Sequence, residues 1–164
     1  MKWVDNTEEY SDNNSSIVLQ LNYRDKKYLF TGDIETKVEN KLIKDLEEID
    51  VLKVAHHGSN SSTSEKFLNI TNPKVAVISS GSEHDKFPSE KCLKRILKKV
   101  RKGDIFITER DGTIWLTSDG VQDSIQKMFN INLDGAKSLI KTETLNSEYL
   151  ESISLNMLSF LIYK

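Results

Sequence analysis

Two short stretches concentrate the chemistry of this chain: Thr31-Gly32-Asp33 and Lys53-Val54-Ala55-His56-His57-Gly58-Ser59. Each closes an apolar run. Asp33 follows Tyr28-Leu29-Phe30, and His56 and His57 follow Val51-Leu52-Lys53-Val54. Short apolar runs bounded in this way read as buried strands. A carboxylate and an imidazole at the C-terminal ends of neighbouring strands can converge on one ion, because a rigid scaffold holds them in place. Imidazole suits zinc or iron and carboxylate suits zinc or manganese, so the combination points to a hydrolytic transition-metal site. Supply limits it: the chain has three histidines, too few for a complete two-metal site of that kind.

The elements that must position these residues alternate between strand and helix. Strands are expected near 16–21, 28–32, 51–55, 74–79, 104–108 and 113–117, and helices near 36–48, 64–70 and 89–101. Thr36-x-x-Glu39 has the form of a capping box, with Val38, Leu42, Leu46 and Ile49 at helical spacing behind it. Ser62-x-x-Glu65 would cap the second helix, and Pro88-Ser89 opens a third. Asp111-Gly112 is a turn signal that predicts a hairpin pairing Ile105–Thr108 with Thr113–Thr117. Beyond Gly120 the pattern changes to short helical stretches rich in Asn, Ser and Thr. The reading is therefore one unit over 1–120 and a mostly helical extension of unknown function over 121–164.

Composition narrows the class. With 37% hydrophobic and 29% charged residues of both signs, the chain is an ordinary globular one. A net charge of −2 gives no overall attraction for a polyanion, which would need a local patch. Lys91, Lys94, Arg95, Lys98, Lys99, Arg101 and Lys102 form one basic cluster, read as the solvated face of an amphipathic helix. The single cysteine, Cys92, excludes an intrachain disulfide and lies beside the apolar Leu93, Ile96, Leu97 and Val100, which implies packing, not catalysis. The first residues have no apolar signal core, and no window approaches the roughly 20 apolar residues of a membrane span. A cytoplasmic location is the expectation. Met157–Tyr163 is apolar but short, fitting a packed end segment or a partner surface.

The order of the motifs resembles a known family. Asn14-Ser15-Ser16-Ile17-Val18-Leu19, then Leu29–Glu35, then Val51–Ser59 resemble the second half of a metallo-β-lactamase-fold hydrolase, most of all the C-terminal domain of ComEC-type competence proteins. Pro73 to Gly81 and Thr108-Glu109-Arg110-Asp111-Gly112-Thr113-Ile114 continue the likeness, which covers about residues 13 to 120.

The resemblance implies an α/β fold, the C-terminal half of a four-layer αββα sandwich: a mixed sheet with helices on one face. It implies that Asp33 is the family's bridging carboxylate and that one of His56 and His57 is its last histidine ligand. The first residue beyond the strand is His56, which is preferred as the catalytic ligand; His57 is then a supporting or substrate contact. The His-x-His/Asp-x-Asp-His motif of the family's first half is absent, and Phe87 stands where relatives carry a histidine before the proline. His84 either replaces it or is an exposed loop histidine. The chain is thus expected to act as a half-domain needing an N-terminal half or a second copy, with zinc or manganese held weakly where the complete family site takes two ions.

Three functions compete. The first is a metal-dependent hydrolase of phosphodiester or ester bonds, inactive alone, with nucleic acid and DNA uptake suggested by the competence likeness. The second is a binding module that keeps the fold without the chemistry. The third, a metal-free Ser59–His–Asp33 hydrolase, is the weakest, because no Gly-x-Ser-x-Gly elbow is present.

Overall fold

The computed structural model describes residues 12–81 and 86–128, and the backbone of 158–162. After a turn at Asp12–Ser15 come β1 (Leu19–Tyr23), β2 (Lys26–Phe30), α1 (Thr36–Leu42), β3 (Val51–Lys53), a tight turn at Ala55–Gly58, α2 (Glu65–Thr71) and β4 (Val75–Ile78). They are followed by α3 (Glu90–Leu97), β5 (Ile105–Ile107), α4 (Thr108–Asp111), β6 (Thr113–Ser118), β7 (Asp123–Met128) and β8 (Leu158–Ile162).

The strands form two sheets, one five-stranded in the order β1-β2-β3-β4-β5 and one three-stranded in the order β7-β6-β8. In the first, β1 pairs antiparallel with β2, and β2 through β5 run parallel. This is a mixed sheet of the α/β class, as expected. Side chains alternate across a strand, so each parallel strand sends residues to both faces. Leu29, Leu52, Ala76 and Ile78 meet Phe67 and Leu68 of α2 and Cys92 and Ile96 of α3 on one face. Tyr28, Val51, Val77 and Phe106 face the other way and meet Ile114 and Leu116 of β6. Burial on both faces explains why these strands read as continuous apolar runs. Each fully buried aliphatic side chain contributes about 1.5–3 kcal/mol.

Three local expectations are corrected. The Asp111-Gly112 hairpin does not form. Thr108–Asp111 is instead a helical turn, held by the Ile107 N–H donating to Asp111 Oδ2 at 2.9 Å, and Gly112 leaves it at φ 73°. That corner lifts β6 out of the first sheet and lays it, with β7 and β8, over the face opposite the helices. In the extension, Asp123–Met128 pairs with one edge of β6 and Leu158–Ile162 with its other edge, while 129–157, where the helical stretches are expected, lies outside the described residues. The Thr36/Glu39 capping box is absent, because Glu35 occupies the cap position without a side-chain bond. Glu39 turns inward, buried, and accepts the amide N–H groups of Thr63 and of Ser64, the latter at 2.9 Å. Finally, α2 is capped by Ser64, not Ser62: its Oγ accepts the Phe67 N–H at 3.3 Å.

Ser89 caps α3 as expected, accepting the Cys92 N–H at 3.2 Å. The basic cluster is largely answered locally. Lys94 pairs with Glu90, Lys98 with Glu65 and Arg101 with Asp104. Arg95 folds back to donate to the carbonyls of Asn60, Ser62 and Thr63 at 3.1, 2.8 and 3.0 Å. Among the described residues, no helix is long and apolar enough to cross a membrane.

Candidate metal centre

Parallel pairing of β2 with β3 brings the two sequence motifs together. Phe30 lies opposite Lys53, so Asp33 and His56 each sit three residues beyond a paired position. The loops are then stitched: Thr31 Oγ1 donates to the Lys53 carbonyl at 2.6 Å, and the His56 N–H donates to the Gly32 carbonyl at 3.1 Å.

The double histidine is not extended. His56 has φ 47° and ψ 49°, and His57 has φ 53° and ψ 20°, both left-handed, with Gly58 following at φ 82°. Left-handed residues other than glycine cost roughly 1–2 kcal/mol each, and such strain gathers at functional sites. What holds the turn is packing below it. The Gly58 carbonyl accepts both the Ser89 N–H at 2.9 Å and Ser89 Oγ–H at 3.1 Å. A methyl group at Gly58 would come within 2.6 Å of Pro88 Cβ, so only glycine fits.

The left-handed turn sends the two imidazoles to different carboxylates. His57 Nε2 lies 3.8 Å from Asp33 Oδ1, and His56 Nδ1 lies 3.9 Å from Glu35 Oε1. His57 Nδ1 is 2.6 Å from the Ser79 carbonyl oxygen, which can only accept, so Nδ1 carries the proton of the neutral ring. In that tautomer the Nε2 lone pair faces a carboxylate oxygen, two acceptors at 3.8 Å. A zinc ion 2.0–2.2 Å from each donor spans at most about 4.3 Å, so this pair fits one ion. Orientation of a ligating imidazole by a backbone carbonyl at its other nitrogen is the usual support for such a ligand. Among the described residues, no group of three or more His, Cys, Asp and Glu gathers to hold a metal. The donor set fits a metal as an open two-ligand edge, not as a closed shell.

The sequence preference for His56 beside Asp33 assumed an extended backbone, on which neighbours point apart. In the structure it is His57 that faces Asp33. His84 lies outside the described residues. Phe87 packs by both rings, its centroid 5.6 Å from that of His56 and 6.3 Å from that of His57. Ser59 Oγ bonds Ser61 Oγ at 3.0 Å and accepts the Ser61 N–H at 3.3 Å, not an imidazole, which removes support for the serine-nucleophile reading. Cys92 is buried, and burial pushes its thiol pKa up, against a nucleophilic role.

Three contributors were not singled out from the sequence as site residues. Glu35 is one, hidden in the Thr-Gly-Asp-Ile-Glu run. Asn14 and Ser16 are the others, quoted only within the family likeness. Ser16 Oγ accepts the Asp33 N–H at 3.0 Å; Asn14 accepts the Glu35 N–H at 2.9 Å and donates to Glu35 Oε2 at 3.0 Å. Gly32 allows this close docking, since a Cβ there would lie 2.7 Å from Ser16 Cβ. Beneath the loops, Lys53 donates to the Val54 carbonyl at 3.1 Å; burial lowers its ammonium pKa, and the Asp33 carboxylate opposes that shift.

Comparison with known proteins agrees with this layout. Residues 2–82 match the family model of the metallo-beta-lactamase superfamily. ComE operon protein 3 of Bacillus subtilis is 36% identical over 107 residues, 63% of this chain and 14% of that protein. Recombination protein 2 of Haemophilus influenzae is 42% identical over 87 residues, 52% of this chain and 11% of that protein. Competence protein ComA of Neisseria gonorrhoeae is 39% identical over 89 residues, 52% of this chain and 13% of that protein. The chain thus spans no more than 14% of the length of these relatives. With its parallel sheet, its Asp33 loop and its double-histidine turn inside or beside the matched regions, this chain belongs to the metallo-beta-lactamase superfamily.

Proposed function

We propose that this chain contributes the Asp33–His57 side of a metal-dependent hydrolase acting on phosphodiester or ester bonds. The observation that carries the reading is the placement of the His57 ring: Nδ1 lies 2.6 Å from the Ser79 carbonyl oxygen and Nε2 lies 3.8 Å from Asp33 Oδ1. Asp33 and His57 would hold the ion, zinc or manganese by donor type. Such an ion supplies Lewis acidity and a water of lowered pKa. The protein's own part is orientation. Ser16 fixes the Asp33 backbone, Ser79 fixes the imidazole, and Phe87 covers the histidine pair on one side.

Two donors leave the coordination open, so the remaining ligands come from an N-terminal half-domain or a second copy of the chain. The names of the similar proteins, with their reference to competence and recombination, support nucleic acid as the substrate class. One observation favours a second reading, a binding module without catalysis: no three donor residues gather among those described.

Hydrolysis of bis(p-nitrophenyl) phosphate with added manganese separates the two. The chain alone should show no turnover above background. Adding the N-terminal half of a similar protein should restore it, and Asp33→Ala or His57→Ala should then reduce it about 10²-fold. Turnover by the lone chain that is sensitive to Asp33→Ala would overturn the half-site reading. No turnover in any combination would favour the binding module.

A further inference from the structure

Lys53 is a cation set in a row of apolar residues. In the register of the first sheet it stands between Phe30 of β2 and Val77 of β4, with Phe106 of β5 beyond. Two residues earlier, Val51 packs on the face that β6 covers, and strand alternation puts Lys53 on that same face. A charged group in such a row costs free energy unless it is paired. Packing alone would be served better by valine or isoleucine, so the charge needs its own reason.

The side chain runs toward the candidate centre. Nζ donates to the Val54 carbonyl at 3.1 Å, two residues before the histidine pair. The backbone of Lys53 is tied to the other motif, since Thr31 Oγ1 donates to its carbonyl at 2.6 Å, two residues before Asp33. A neutral carbonyl satisfies one of the three ammonium donors and leaves the charge unbalanced. The Asp33 carboxylate supplies the balance: burial draws the ammonium pKa down, and Asp33 opposes that shift. A cation beneath a metal ligand acts in two directions. It favours the ionised carboxylate while no metal is bound, and it repels a dication that approaches the same carboxylate. Lys53 is half-buried, so solvent ions screen that repulsion little.

We propose that Lys53 sets the metal affinity of the Asp33–His57 pair: its ammonium balances Asp33 in the lone chain, so a divalent cation is held firmly only when further donors bring more negative charge. Metal loading is thereby tied to assembly with whatever part supplies those donors. The inference rests on the metal-dependent reading of the site and adds the condition under which the site fills. The rival is a structural lysine, whose stem fills the row and whose ammonium ties down the strand end. The two differ in sign: removing a structural residue loosens zinc binding, whereas removing a repelling charge tightens it.

The test is the zinc affinity of the full chain, measured by competition with a chromogenic chelator. Lys53→Met removes the charge and keeps the length of the side chain, and should tighten zinc binding at least about tenfold. Lys53→Arg keeps the charge and should bind zinc as the native chain does. Lys99→Met, which removes an exposed cation of the segment after α3, should change the affinity less than about twofold. Zinc binding by the native chain that Lys53→Met leaves unchanged or weakens overturns the inference and spares the Asp33–His57 pair. Equal tightening in Lys99→Met would trace to net charge, and equal tightening in Lys53→Arg to packing; either overturns the inference. Circular dichroism checks the fold of each variant, with Lys53→Gln as the second neutral form; unfolding of both neutral forms would make Lys53 a structural residue and overturn the inference. No zinc uptake at millimolar concentration by the native chain or any variant overturns the metal-dependent reading itself, and this inference with it.

Discussion

His57 places Nδ1 2.6 Å from the carbonyl oxygen of Ser79, and that contact decides which face of the ring looks at Asp33. Ser79 follows directly on β4 and His57 lies in the turn after β3, so the parallel β3–β4 pair sets the separation of donor and acceptor.

The first prediction is the tautomer itself. At a pH where His57 is neutral, its proton should be on Nδ1 and its Nε2 should resonate as an unprotonated nitrogen. Imidazole nitrogen-15 spectra of the metal-free chain measure this directly. An Nε2–H tautomer would leave no lone pair for Asp33 to share with an ion.

Gly58→Ala should destabilise the protein by about 2–4 kcal/mol, combining a left-handed backbone with an overpacked contact. Its Cβ would meet Pro88 Cβ at 2.6 Å. Urea denaturation gives the number. A loss below about 0.5 kcal/mol, the range of an ordinary surface change, would mean that the turn can move away from α3.

Glu39 predicts a pH effect. Burial is the main reason its carboxyl pKa is raised above 4.5, with the Ser64 and Thr63 hydrogen bonds and Arg95 working against it. A raised folded-state pKa means that its contribution is full below the unfolded value and is lost as pH rises through the folded one. The stability of the native protein relative to Glu39→Gln should therefore be greater at pH 4 than at pH 7. A difference between the two proteins that does not change over that interval would contradict a shifted Glu39.

Asp111 predicts the opposite slope. Burial would raise its pKa, but hydrogen bonds from Arg110, the Ile107 amide and Lys127 together with the Arg110 charge leave it well below 3.8. Its contribution is present above the unfolded value and is lost as pH falls below it. Asp111→Ala should cost about 1–3 kcal/mol at pH 7, a moderate figure because Arg110 and Lys127 are part-exposed and can rehydrate. The penalty should shrink on acidification below pH 4. A penalty that persists there would show that shape, not charge, gives Asp111 its role at the α4 corner.

The amino-acid order by itself determined the strand–helix alternation, because apolar spacing and Ser89 before α3 are local signals with local causes. It also determined that Asp33 and the histidine pair share one end of the sheet, since each motif closes an apolar run. Several decisions belong to tertiary structure. Whether His56 or His57 meets Asp33 depends on a left-handed turn that Pro88 and Ser89 of a distant segment hold in place. Glu35 and Glu39 have similar local settings, yet one borders the candidate site and the other is buried under Thr63 and Ser64. Asp111-Gly112 has the composition of a hairpin turn, but the carboxylate is drawn to the Ile107 amide and Lys127, and the chain leaves the first sheet there. In each case the competing local conformations differ by a few kcal/mol at most, and contacts from residues far along the chain choose between them.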